Sequence, residues 1–184
     1  MERFISFFHN TNTKHTHIVN YIINSIVKFI CHKNKLNTII ELINKPMKPF
    51  SKIKFSKKSI KFFRILSKTL NIQIQHSCEI GEYKAITTES LYYVDGYHNC
   101  TIHKCNGQKP CIFNNVIFEF QGNYFHGNKD IYKNTDKCLG VPYKIIWLKD
   151  NIKQNNLEKS NYKVICIWET FYDSLIKVFE KRLL

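Results

Sequence analysis

The stretch "VIFEFQGNYFHGN", residues 116–128, decides how this chain reads. Val116, Ile117, Phe118 and Phe120 form a short β-branched and aromatic run, the signature of a strand. Glu119 stands inside it, followed by Gln121, two glycines and His126. A carboxylate buried without a partner is costly. Either the strand lies at an edge with its charge turned to water, or it holds a metal-binding carboxylate. Gln121 is two residues after Glu119, so the period-two alternation of a strand puts both on one face.

Upstream, "SLYYVDGY" (90–97) predicts a second strand, ending at Asp95 and Gly96. Asp-Gly is also ordinary turn chemistry. Mg²⁺ takes hard oxygen ligands and keeps several waters, so one or two carboxylates can hold it. Two neighbouring strands that each end in an inward acid would supply such a pair, here Asp95 and Glu119. With Gln121 they make a D…E-x-Q pattern, which is weak by itself.

The rest of the chain predicts helices and strands in mixed order. Residues 17–30 read as an amphipathic helix with Ile18, Tyr21, Ile22, Ser25, Ile26 and Phe29 on one face. Residues 34–45 read as a second helix, and the two prolines in 45–52 as a linker. A helix is expected over 56–70 with Ser56 or Ser59 as N-cap. Ile-Gln alternation and then a glycine break mark 72–86. Residues 143–159 read as a helix with Pro142 near its start, 162–169 as a buried strand, and 170–184 as a closing amphipathic helix. The expected class is α/β, a mixed sheet flanked by helices. Residues 1–50 are expected to form a basic helical appendage, and 51–184 the main domain.

Taken as a set, "IQIQHSCEIGEYKA", "YYVDGY", "FEFQGNYFHGN" and "YKVICIWE" resemble the PD-(D/E)xK restriction-endonuclease-like superfamily. The resemblance is to the branch of large-DNA-virus and phage proteins related to the very-short-patch repair (Vsr) endonucleases. It covers roughly residues 56–172, with all four blocks in family order. It implies a restriction-endonuclease-like fold and a Mg²⁺-dependent endodeoxyribonuclease, with Mn²⁺ able to substitute. Asp95 and Glu119 would be the metal carboxylates, and Glu82, in "GEYK", a third, matching the acid that the first helix region contributes in the family. Gln121 stands where many relatives carry the lysine that orients the attacking water. A glutamine can hydrogen-bond that water but brings no positive charge. His126 matches the family histidine after the aromatic residue, a candidate for acid/base work or a phosphate contact. His76 precedes "GE" and is a weaker candidate. The loop after His126 lacks the Cys/His continuation of the Vsr enzymes, so their structural zinc is not implied.

Composition agrees with a polyanion partner. The chain has 184 residues and a net charge of +14. Residues 1–75 hold 14 basic and 2 acidic side chains; the remainder holds 14 and 12. Contacts from such a surface to phosphates release counterions, so DNA is the expected partner. Lys, Asn and Ile enrichment also follows from AT-rich coding, which leaves part of that charge without meaning. Tyr124 and Phe125 flank His126 and are candidates to stack on bases. No apolar run reaches the roughly 18–20 residues of a membrane span. Seven cysteines in no regular framework argue against a disulfide scaffold and for a reducing, intracellular setting, in a host cytoplasm or nucleus if the chain is viral.

Between the two acids, "CTIHKCNGQKPC" (100–111) offers Cys100, His103, Cys105 and Cys111 as Zn²⁺ ligands. Their spacing matches no standard module, and the favoured reading is a long hairpin with incidental thiols. Two alternatives to the nuclease therefore stand. One is a catalytically inactive DNA-binding relative, suggested by Gln121 and the altered loop after His126. The other is a zinc-stabilised interaction module.

Overall fold

The structure, a computed structural model, describes residues 15–31, 35–47, 56–102 and 111–181. His103, Cys105 and most of the 45–52 linker lie outside these residues. Three helices come first: α1 (Thr16–Cys31), α2 (Leu36–Asn44) and α3 (Lys57–Leu70). Ser56 is the N-cap of α3, its Oγ accepting from the Ser59 N–H at 3.2 Å. Asn71 closes that helix in the left-handed region.

A hairpin follows, β1 (Tyr83–Ile86) against β2 (Leu91–Val94), and then β3 (Gly96–His98). After β4 (Val116–Gln121) comes a single helical turn, α4 (Asn123–His126). A small two-stranded element, β5 (Lys137–Cys138) and β6 (Val141–Pro142), leads into α5 (Tyr143–Lys159). The chain ends with β7 (Lys163–Trp168) and α6 (Glu169–Lys181). The central sheet has the order β3-β4-β7, antiparallel between the first pair and parallel between the second. The class is therefore mixed α/β, as expected. No helix among the described residues is long and apolar enough to cross a membrane.

β4 sits in the middle of this sheet, which explains its near-continuous apolar run. Its two faces are covered differently. Val116, Phe118 and Phe120 join the large core with Phe62 and Phe63 of α3 and Phe171 of α6. Ile18, Ile22 and Ile26 of α1 and Ile39 of α2 belong to the same cluster, so the N-terminal helices pack onto it. Ile117 faces the other way, into a smaller cluster with Val164 and Cys166 of β7 and Leu157 of α5. Tyr21, expected on the buried face of α1, is half exposed.

The expected strand 90–97 is two strands. The chain bends at Asp95 and passes from the β1–β2 hairpin into the central sheet. Gly96 makes the bend possible. A Cβ there would lie 3.1 Å from both Ile74 and Phe63 and 3.3 Å from Phe118, so only a bare backbone fits comfortably against the core. The alternating segment 72–76 forms only isolated bridges, among them Gln75 with Tyr97.

Candidate active site

The two sequence-predicted acids are brought together by register. Gly96 pairs with Phe118 and Tyr97 with Ile117. Continuing that antiparallel register by one residue sets Asp95 opposite Glu119, the arrangement in which side chains share a face. Asp95 Oδ2 accepts the Phe120 N–H at 2.9 Å, which anchors the bend to β4. Asp95 is open to solvent as a residue, yet protein surrounds its carboxyl. That crowding raises its pKa, although the Phe120 N–H, Lys153 and His126 pull the other way.

Glu119 and Gln121 point to the same face as Ile117, the face crossed by α5. The helix runs back along the strand. Leu157 packs in the cluster with Ile117. Four residues earlier on the same helical side, Lys153 sets its Nζ 2.8 Å from Glu119 Oε1. Three residues before that, Asp150 Oδ2 lies 2.9 Å from His126 Nδ1. Lys153 also donates to the Tyr93 carbonyl at 3.1 Å, tying α5 to β2.

The Lys153–Glu119 approach is a close, partly buried ion pair. Glu119 Oε1 is buried, and the Lys153 ammonium is its close partner. Burial first, and the neighbouring Asp95 second, push the Glu119 carboxyl up to about 7, against the pull of Lys153 and His126. Burial alone would lower His126. The hydrogen bond and charge of Asp150, with Asp95 and Glu119 beyond, outweigh it and hold the imidazole above its usual value.

The turn that carries His126 is pinned from several sides. Glu169 Oε2 accepts the Asn123 N–H at 3.0 Å, placing a carboxylate at the start of α4. The Trp147 indole N–H donates to the carbonyls of His126 and Gly127, at 3.0 and 2.7 Å. Gly127 ends the turn at φ 62°, and a Cβ there would lie 2.1 Å from the Tyr143 ring. Asn128, buried, donates to Asn123 Oδ1 at 3.0 Å.

Glu82 precedes β1 in a loop and does not come from a helix. Burial and then Asp95 raise its pKa. The oxygens of Glu82, Asp95 and Glu119 do not gather as a three-ligand group. Among the described residues, the one such group with ligand atoms all within 4.8 Å is His98, Cys100 and Cys111. His76 is a core histidine. It is buried, stacks on Phe63 at 6.0 Å and accepts the Cys78 N–H at Nδ1. Burial, with Arg64 and Lys45 nearby, lowers its pKa to about 4. Tyr124 and Phe125 are exposed on α4, their rings in edge contact at 5.4 Å.

Sequence reasoning missed Lys153 and Asp150. Their signal was present as an acid and a base three residues apart in "KDNIKQ" (149–154), on a helix with little apolar periodicity. No family model, curated protein or solved structure matches the chain.

Proposed function

We propose that the chain is a divalent-metal-dependent DNA endonuclease of the PD-(D/E)xK type. One observation carries this reading. Two acids predicted from separate motifs stand side by side, Asp95 at the bend that leads into β3 and Glu119 within β4, and a helix delivers an ammonium onto one of them. Phosphodiester cleavage calls for such a mixture of carboxylates and fixed positive charge. The donor set of Asp95 and Glu119 is all hard oxygen, which suits Mg²⁺ or Mn²⁺, and the Glu119 carboxylate has lone pairs beyond the one that meets Lys153. A cation held there would neutralise charge building on the phosphoryl oxygens and acidify a water.

Each protein group then has a task. Lys153 supplies the positive charge that Gln121 lacks, from a helix rather than from the strand. Gln121 lines the same cleft and can hold a water by its amide. His126, kept protonated to higher pH by Asp150, can give its proton to the departing oxygen. The net charge of +14 would hold the DNA backbone.

The same Lys153–Glu119 contact favours a second reading, the inactive DNA-binding relative. In that reading the ammonium replaces the metal as the partner of Glu119. One experiment separates the two. Supercoiled, linear and single-stranded DNA are incubated with the purified protein in Mg²⁺ or Mn²⁺, beside Asp95→Ala and Glu119→Ala. Cleavage by the wild type alone is expected. Equal cleavage by all three, or none by any, sinks the nuclease.

A further inference from the structure

We propose that His98, Cys100 and Cys111 form a zinc site that braces the connection between β3 and β4. Their ligand atoms all lie within 4.8 Å of one another. His98 Nε2 is 3.4 Å from Cys100 Sγ. A tetrahedral zinc with ordinary bond lengths sets its nitrogen and sulfur ligands roughly 3.6 Å apart. That pair is therefore already at coordination spacing, with the Cys111 thiol within reach.

The surroundings of the three residues point the same way. His98 is fully buried, and its Nδ1 lies 2.7 Å from the Gln73 carbonyl oxygen. A carbonyl can only accept, so Nδ1 carries the proton and Nε2 keeps the lone pair that faces the thiols. That is the usual way a backbone carbonyl orients a zinc-binding histidine. Asn114 ties the two cysteines together. Its Oδ1 accepts the Cys100 N–H at 3.2 Å, and its own N–H donates to the Cys111 carbonyl at 3.1 Å. Two soft thiolates and an imidazole select Zn²⁺ over the hard cations suited to the carboxylates. A fourth donor, protein or water, completes the tetrahedron.

This assignment differs from the set the sequence suggested. Cys100 and Cys111 remain, and the histidine is His98, on β3, whose side chain the sequence motif had left outside. The site also stands independently of the nuclease reading. Zinc would fix the ends of the connection between β3 and β4, and so the distance between the strands that carry Asp95 and Glu119.

The test uses tag-free, full-length protein purified under reducing conditions. Its zinc is measured by mass spectrometry, and Co²⁺ is then exchanged into the site. About one zinc per chain is expected, with the thiolate-to-cobalt charge-transfer absorption of a tetrahedral ion. Cys100→Ser and Cys111→Ser should each drop retained zinc below about a tenth and cut that absorption by about half, since one of two thiolates is gone. Cys78→Ser, at a half-buried position elsewhere, and Asp95→Ala should both keep full zinc. If a serine variant does not fold, addition of Co²⁺ to wild-type protein reads the thiolate band directly. Zinc retained by both serine variants, no thiolate band in the wild type, or a Cys100–Cys111 disulfide in the reduced preparation would overturn the proposal.

Discussion

Lys153 Nζ rests 2.8 Å from the buried Oε1 of Glu119, and the same ammonium donates to the Tyr93 carbonyl at 3.1 Å. One side chain thus joins α5, β4 and β2 at the point where the two acids meet. Removing one member of such a pair leaves the other charge stranded. Lys153→Met should cost about 2 kcal/mol of stability near neutral pH. On the nuclease reading it should also lower DNA cleavage at least ~100-fold. Lys153→Arg, which keeps the charge, should lose far less. Urea denaturation and cleavage assays on the same preparations check both, and cleavage unchanged in the Met variant would remove Lys153 from the chemistry.

The Glu119 carboxyl gives the site a pH dependence. Its pKa rises from an ordinary 4.5 to about 7, chiefly through burial. A raised acid favours the folded state while it is protonated. The stabilisation is complete below about pH 4.5 and is lost as pH climbs through about 7. Without added Mg²⁺, the protein should lose up to about 3 kcal/mol between those limits. Glu119→Gln should flatten that profile. Denaturation midpoints at pH 5 and pH 8 for both proteins test this, and parallel profiles would count against it.

Gly127 has no room for a side chain. Its φ is 62°, and a Cβ would fall 2.1 Å from the Tyr143 ring. Gly127→Ala should therefore cost about 3 kcal/mol or more, from backbone strain and overpacking together. Gly140, also at positive φ (86°), meets nothing within 4 Å and serves as the control. Gly140→Ala should cost only about 1 kcal/mol, from backbone strain alone. Thermal unfolding of the two variants gives the comparison.

Tyr124 and Phe125 stand exposed on the turn that carries His126, and neither is needed to fill the core. If they stack on bases, each alanine substitution should weaken binding to single-stranded DNA about tenfold. The melting temperature should stay near that of the wild type. Fluorescence anisotropy at fixed salt reads the binding. Affinity unchanged in the double variant would exclude the stacking role.

Much of the framework was legible in the residues. The apolar run of β4, the Ser56 cap of α3 and the helix after Pro142 are local features, set by side-chain shape and backbone hydrogen bonding within a few positions. Period two was enough to place Glu119 and Gln121 on one face. Asp95 and Glu119 were read from separate segments, and the β3–β4 register sets them side by side.

The rest depended on contacts between distant segments. The bend at Asp95 arises because Gly96 must slip past Ile74, Phe63 and Phe118, none of them its neighbours in the chain. His98 meets Cys111 only because β3 and β4 pair. Lys153 and Asp150 reach Glu119 and His126 because Leu157 docks α5 against Ile117 and Val164. Local sequence could propose a strand, a turn or a helix. Which face of α5 met β4, and therefore which lysine met the glutamate, was decided when the apolar side chains of the folded chain packed together.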